Sequence, residues 1–340
     1  MSLLAVATTK AMMASSAFVL PFTKAADRVL GPRGCFLTFH RAAPSEVWER
    51  LPNRDFHLDL GFLDQFLTYL RAQRWDVVTV SEGLRRAADR HDHSRYVNFS
   101  IDDCYRDSFE SVVPLFRRHN VPITLFVTTG IPDGTLPLWT AGLEDVLLHR
   151  DRVDVDGESL ALGTPEQRRG AFARIAASWD GPDAGRLYAD FCAANAIDIE
   201  TMHWKHAISW DMLQELAQDP LVEIGAHTVT HARISAVTAE TALAELSRSR
   251  RRLSERLGIE VQHFAFPYGR ATDCGPREFA LACQAGFASA ATTRKGLLRH
   301  GQDAFSLPRN TINGAHRHLA AMEMHLTGLS GTAARVVGRV

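Results

Sequence analysis

Short apolar runs alternate with amphipathic segments along most of the chain. β-branched and aromatic residues predict strands at residues 34–40, 77–80, 96–101, 123–127, 221–225, 262–266, 288–291 and 305–307. Between these runs, apolar residues recur at helical spacing over about residues 62–70, 109–119, 211–218, 239–257 and 276–285. Alternating strands and helices are typical of parallel sheets, so this order predicts a distorted parallel (β/α) barrel of about seven strands.

Residues 137–208 interrupt this repeat with short, loosely amphipathic segments that predict helices around residues 143–148, 166–179 and 184–195. We interpret them as a helical insertion that covers or borders the functional site of one catalytic domain, residues 34–315. Four tryptophans in or beside the insertion could line a sugar-binding wall, although packing is the favoured interpretation for each: Trp139, Trp179, Trp204 and Trp210. Residues 316–340 are predicted to form a helical tail.

Residues 1–33 precede the predicted barrel. They contain a mildly apolar run, residues 11–22, which is shorter than a helix needs to cross a bilayer. Ser15, Ser16 and Pro21 within this run weaken it as an export signal. We expect a surface helix here, with export or membrane association as the alternative.

Composition and charge mainly exclude functions. The 340 residues are 46% hydrophobic and 23% charged, as in an ordinary soluble globular protein. A formal net charge of −1 gives no electrostatic basis for binding nucleic acid, and a neutral or locally charged small substrate fits better. Five cysteines without C-x-x-C spacing indicate no disulfide framework and favour a reducing compartment, so we expect a cytoplasmic protein.

Polar residues with catalytic chemistry follow several of the predicted strands. They are His40, Asp102, Asp103, His227, His231, Tyr268 and Arg309. In parallel barrels the chemistry gathers at the carboxyl ends of the strands. We therefore expect these residues, although scattered along the chain, to converge in space.

Asp103, His227 and His231 form the candidate metal site. Two histidines and one carboxylate are a typical set for a catalytic zinc ion and leave a position for water. The H-x-x-x-H spacing is a weak signal in a chain with 15 histidines, but its place after a strand strengthens it. Asp102, beside the ligand, is positioned to act as a base. The alternative is a solvated loop start in which Asp107 caps the next helix.

Hydrolysis of an amide also requires an acid for the departing amine, and His40 is our candidate. Arg309 is expected to pair with Asp102 and hold it ionised. The oxyanion would be met by the metal and by a backbone N–H in the turn at residues 267–269.

Three motifs occur at these strand ends: Ser100-Ile101-Asp102-Asp103, His227-Thr228-Val229-Thr230-His231 and Phe266-Pro267-Tyr268-Gly269. Together they resemble the motifs of the polysaccharide deacetylase family with NodB homology, metal-dependent de-N-acetylases of N-acetylglucosamine glycans. The resemblance implies that Asp102 is the base and that a backbone amide at Tyr268 binds the oxyanion. It also implies that Asp103, His227 and His231 bind the metal.

The sequence departs from the family pattern in three places. Cys104 replaces the glycine usual after the second aspartate, Phe266 stands where an arginine is usual, and no late L-x-H motif is evident. The chain resembles a permuted subgroup in which an early F-H supplies the acid and a late L-P-R supplies the arginine. Residues 37–40 and 307–309 match that pattern, while His316 and His318 are rival candidates for the acid.

The resemblance implies a zinc-dependent hydrolase that removes N-acetyl groups from N-acetylglucosamine-type sugars, with a carbohydrate as its partner. Two alternatives stay open. One is a hydrolase of another amide, such as a formamido sugar or a cyclic amide. The other is a degenerate carbohydrate-binding module, against which the intact aspartates and histidines of the motifs argue.

Overall fold

A computed structural model describes residues 34–179, 181 and 183–331. The predicted N-terminal surface helix and the end of the predicted tail, residues 332–340, lie outside the described residues. The described strands are β1 (Gly34–Phe39), β2 (Arg41–Ala43), β3 (His57–Asp59), β4 (Asp76–Val77), β5 (Tyr96–Asp103), β6 (Ile123–Val127), β7 (Arg152–Val155), β8 (Glu158–Ala161), β9 (Val222–Ala226), β10 (His263–Ala265), β11 (Ser289–Ala291) and β12 (Asn310–Thr311).

The same residues form α1 (Ser45–Trp48), α2 (Leu60–Ala72), α3 (Val80–Ala88), α4 (Val113–His119), α5 (Trp139–His149), α6 (Pro165–Ser178), α7 (Ala184–Ala194), α8 (Ile199–His206), α9 (Trp210–Leu216), α10 (Ala239–Leu257), α11 (Pro276–Gln284) and α12 (Leu319–Leu326). Among them, no helix has both the length and the apolar character needed to cross a membrane.

Seven parallel strands form the barrel, in the order β11-β10-β9-β6-β5-β1-β12. The gap between the two end strands, β11 and β12, is bridged at one point, where Ala291 of β11 pairs with Leu307 just before β12. The short strand β4 pairs with the start of β5 outside this ring. The prediction of a distorted (β/α) barrel of about seven strands is therefore confirmed.

The two faces of β5 show how the barrel positions polar groups. Phe99 packs outward, between Phe66 of α2 at 5.9 Å and Phe116 of α4 at 5.3 Å between ring centroids. The next residue, Ser100, points inward and accepts a hydrogen bond from Arg309. Because side chains alternate along a strand, Asp102 also faces the interior and lies at its carboxyl end.

The insertion has an apolar core of its own, built from residues that include Leu143, Leu147, Phe172, Ile175 and Phe191. It contains the predicted helices and also a hairpin, β7 and β8, that was not predicted. Asp156 and Gly157 form its turn with φ angles of 50° and 79°. Glu144 of α5 ties the insertion to the two-stranded sheet of β2 and β3, which directly follows β1 in the chain. It accepts from Arg41 at 3.1 Å and lies 3.0 Å from the His57 ring nitrogen.

The prediction of a strand at residues 77–80 is wrong for most of its length, because only Val77 belongs to a strand and a helix begins at Val80. Strand β4 ends at Val77, and the Thr79 side chain accepts a hydrogen bond from the Glu82 amide, which starts α3. The β-branched run suggested a strand because threonine is favoured both in strands and at helix N-caps.

Candidate active site

Asp103, His227 and His231 come together at the carboxyl ends of β5 and β9. One ligand atom from each side chain lies within 4.8 Å of the others. Asp103 Oδ1 is 3.5 Å from His227 Nε2 and 3.3 Å from His231 Nε2. A tetrahedral zinc ion with bonds near 2.1 Å separates its ligand atoms by about 3.4 Å. The spacing of the carboxylate and the two imidazoles therefore fits such an ion.

Two further observations show that these residues fit a metal. Asp103 Oδ1 is buried and makes no hydrogen bond, which is costly unless a cation satisfies it. His227 Nδ1 lies 2.7 Å from the carbonyl oxygen of Ala265 and donates to it, which directs the Nε2 lone pair toward Asp103. Burial lowers the pKa of His227 to about 4, so the imidazole is neutral and able to bind a metal at pH 7.

Left-handed backbone conformations let the strand ends form this site. Of the nine described non-glycine residues with positive φ, five belong to it: Asp103, Cys104, Thr228, His231 and Tyr268. By strand alternation Asp103 would face away from the interior that Asp102 faces. The turn that begins at Asp103, with a φ of 69°, ends the strand and lets both carboxylates reach one crevice. Such conformations persist where the surrounding structure holds them.

Glu245 of α10 holds the segment between the two histidines. Its carboxylate accepts hydrogen bonds from the backbone N–H groups of Val229 at 2.8 Å and Thr230 at 3.0 Å. It also accepts one from the Thr230 hydroxyl at 3.1 Å. The sequence showed no sign of this role, because α10 has the pattern of a solvated helix and the contact depends on how the helix packs.

Asp102 and Arg309 form a buried ion pair. Both terminal guanidinium nitrogens donate to the carboxylate, at 2.6 and 2.9 Å. The same guanidinium donates to Thr38, Ser100 and the carbonyl of Thr292, which fixes its orientation. Burial alone would raise the pKa of Asp102, but the charge of Arg309, with smaller effects of His227 and His40, lowers the pKa to about 2. Asp102 is thus ionised.

His40 directly follows β1. The last residue of β1, Phe39, pairs with Ile101 of β5, so His40 and Asp102 follow two paired residues. The half-buried ring of His40 lies 4.8 Å from the Phe56 ring, and it is one of the groups that lower the pKa of Asp102. The rival candidates for the acid lie in the segment between β12 and α12. His316 is buried against His325, with its Nδ1 accepting from the Asn313 amide, and His318 is exposed at the start of α12.

The turn after β10 places Tyr268 beside the histidines. Its ring centroid is 5.1 Å from that of His231, and the Arg233 guanidinium lies 4.3 Å from the ring. The Thr293 hydroxyl donates to the Tyr268 carbonyl at 2.6 Å, which holds the left-handed turn in place. The Tyr268 ring therefore lies beside a candidate metal ligand.

Two other sequence-based expectations can be compared with the structure. Asp107 stands at a helix start but makes no capping hydrogen bond, because its carboxylate accepts from Arg41 at 2.8 Å. Among the four tryptophans, Trp179 and Trp210 are buried and Trp139 packs partly buried against the core of the insertion. Trp204 is 38% exposed.

The sequence model of the family described as polysaccharide deacetylase matches residues 89–280. No curated protein sequence matches the chain. The fold is similar to that of Streptococcus pyogenes deacetylase PplD, solved in complex with acetate, at 15% identity and a TM-score of 0.57 over 87% of this chain and 98% of that one.

Two other solved structures share the fold. A de-N-acetylase from Aggregatibacter actinomycetemcomitans has 14% identity and a TM-score of 0.56, covering 86% of this chain and 99% of that one. IcaB from Ammonifex degensii has 18% identity and the same TM-score of 0.56, covering 88% and 97%.

Proposed function

Because the chain belongs to the polysaccharide deacetylase family, we propose that it is a metal-dependent hydrolase that removes N-acetyl groups from N-acetylglucosamine-type sugars. One observation carries the proposal. Three ligand atoms that fit a divalent ion lie beside a buried carboxylate that an arginine holds ionised. A ligand set of two imidazoles and one carboxylate suits zinc, which we propose as the ion.

A divalent ion at this position supplies Lewis-acid chemistry, polarising a carbonyl group and making a water molecule more acidic. The other steps belong to side chains and main chain of the protein. Asp102 takes a proton from the water that attacks the acetyl carbon. The backbone N–H at Tyr268 donates a hydrogen bond to the oxyanion that forms.

The carbon–nitrogen bond then breaks, and His40 donates a proton to the departing amine. An unprotonated nitrogen is a poor leaving group, so this step requires an acid. The products are acetate and a free amino sugar. The water has contributed its oxygen to acetate, and its protons pass through Asp102 and the solvent.

Acetate release from a panel of N-acetylglucosamine oligomers tests the proposal. We expect release from at least one oligomer, and Asp102→Asn should lower its rate about 10²–10⁴-fold while the metal content stays unchanged. Formate release from a formamido sugar, or opening of a cyclic amide, in place of acetate release would favour the other amide substrates. Binding of an oligomer without any release would indicate a non-catalytic module.

A further inference from the structure

A cavity of about 480 Å³ opens between the insertion and the loop that follows β6. One wall consists of loop residues such as Gly134 and Thr135, and the other of insertion residues such as Ile199, Glu200 and Trp204. Its volume is in the range of small-molecule sites, roughly 300–1,000 Å³. Neither the metal ligands nor Asp102 lines it, so the proposed chemistry does not account for it.

Hydrogen bonds connect the loop wall of the cavity to the histidine segment. The Thr135 amide donates to the Gly130 carbonyl at 2.9 Å, and the Gly130 amide donates to the Val229 carbonyl at 2.9 Å. Val229 lies between the two candidate histidine ligands. The cavity is therefore separated from the metal site by a few hydrogen-bonded residues at the same end of the barrel.

The insertion wall is connected to the aspartate segment. Arg106, three residues after Asp103, donates to the Trp204 carbonyl at 2.8 Å. Both walls are thus attached to segments that carry the metal ligands. The cavity and the candidate metal site therefore share the loops on which both are built.

The side chains of the cavity suit a sugar. Ile199 and Trp204 are 40% and 38% exposed, and they are two of the five most exposed large apolar residues in the described chain. Glu200 lies on the same helix at the cavity and offers a carboxylate that can accept from hydroxyl groups. A pyranose ring presents an apolar face and a polar edge, and an indole with a polar neighbour matches both.

The Trp204 ring is held in position from two sides. A Cβ atom at Gly134, whose φ is 71°, would lie 3.1 Å from the indole, so glycine allows the loop to pass close beneath the ring. The His203 ring packs edge-on against it, with centroids 4.8 Å apart. A supported, exposed indole loses little conformational entropy when a ligand stacks on it.

We propose that this cavity is a subsite for a neutral sugar unit of the same glycan chain, adjoining the unit that is deacetylated, and that Trp204 is its stacking platform. The inference rests on the proposed function for the identity of the chain. It gives the insertion a role in substrate-length selectivity. The sequence alone could not single out Trp204 among the tryptophans.

The test compares Trp204→Ala with Leu319→Ala, a control at an exposed apolar residue of α12. Acetate release is measured from an N-acetylglucosamine hexamer and from a small aryl acetate that cannot reach the cavity. We expect Trp204→Ala to raise KM for the hexamer about tenfold at unchanged kcat, a typical effect of one aromatic contact. Aryl acetate turnover and the control should match the wild type.

Binding of the hexamer to Asp102→Asn and Asp102→Asn/Trp204→Ala, measured by calorimetry, separates the subsite from the activity. If no sugar releases acetate but replacing Trp204 lowers the affinity for the hexamer, the subsite stands and the proposed function fails. Equal KM and equal affinity with and without Trp204 would overturn the subsite and leave the function standing. A hexamer that neither binds nor reacts would overturn both.

Discussion

Asp102 is 2% exposed, and burial to that extent raises the pKa of a carboxyl group that has no cation beside it. Arg309, which is itself fully buried, prevents this by binding both carboxylate oxygens. Each charge compensates the desolvation of the other. The base strength of Asp102 therefore depends on a residue that is 207 positions away in the sequence.

Replacing Arg309 with leucine should change the pH dependence of activity. Without the guanidinium, burial raises the pKa of Asp102 from about 2 to above its ordinary value of about 3.9. In the proposed mechanism Asp102 is active when ionised, so activity should fall at a higher pH than in the wild type as the solution is acidified. Arg309→Lys, which keeps the charge but loses the bidentate geometry, should give an intermediate profile.

The pH profile of kcat/KM measures this effect, and thermal unfolding verifies that the variants fold. A uniform loss of activity with the acid limb unmoved would mean that Arg309 acts on substrate or structure instead.

His40→Ala should impair amide hydrolysis more than ester hydrolysis. An alkoxide or phenolate leaves without a proton more readily than an amine does, so the ester depends less on the acid. We expect kcat for an N-acetyl sugar to fall about 10²–10⁴-fold, and kcat for an aryl acetate to fall by a smaller factor. Metal content should be unchanged. Equal losses on both substrates would show that His40 positions the substrate or the oxyanion.

At the scale of elements, the segment from His227 to His231 is a tight turn whose shape depends on α10. Thr228 and His231 both have left-handed φ angles, which the segment would not adopt unaided. The Glu245 carboxylate stabilises it by accepting two backbone hydrogen bonds. A helix on the outside of the barrel thus positions a candidate metal ligand.

Glu245→Ala should weaken zinc binding about 10–100-fold, the usual cost of losing a group that orients a ligand. Competition with a chelating dye measures the affinity. Glu255→Ala is the matched control, because it removes an exposed glutamate of the same helix that makes a 3.8 Å ion pair with Arg251. An affinity that does not differ between the two variants would show that Glu245 has no positioning role.

Sequence patterns predicted best the elements that are buried by their neighbours, because burial requires an apolar pattern. Strands such as β5 and β6 are fully buried, so their β-branched and aromatic runs are unambiguous. The hairpin β7–β8 was missed although Asp156-Gly157 is a typical hairpin turn between alternating residues. Its strands have exposed faces, and the surrounding helical pattern concealed them.

At the scale of the whole molecule, the barrel brings together residues from its first and last strands at the site. β1 lies between β5 and β12, so His40, Asp102 and Arg309 come from three neighbouring parts of the sheet. The rule that chemistry gathers at strand carboxyl ends was enough to group these residues from the sequence. Contacts across helix faces, such as those of Glu245 and Glu144, have no sequence pattern and require the structure.

Glu144→Ala should loosen the insertion from the two-stranded sheet of β2 and β3. It leaves His57 without its buried partner, whereas Arg41 keeps Asp107 at 2.8 Å. We expect the free energy of unfolding to fall by about 3 kcal/mol, at the low end for a broken buried pair. Glu158→Ala, which removes an exposed pair with Arg174, should leave stability unchanged. Denaturant unfolding measures both, and equal stability of the two variants would contradict the anchoring role.

The central claim is that Asp103, His227 and His231 hold the ion on which deacetylation depends. The most direct measurement is acetate release from an N-acetylglucosamine hexamer by metal-stripped protein as Zn²⁺ is returned. We predict no release at first, a linear rise up to one equivalent of zinc, and no recovery in His231→Ala. Release that persists in the stripped protein, or that His231→Ala recovers in full at one equivalent, would contradict the account.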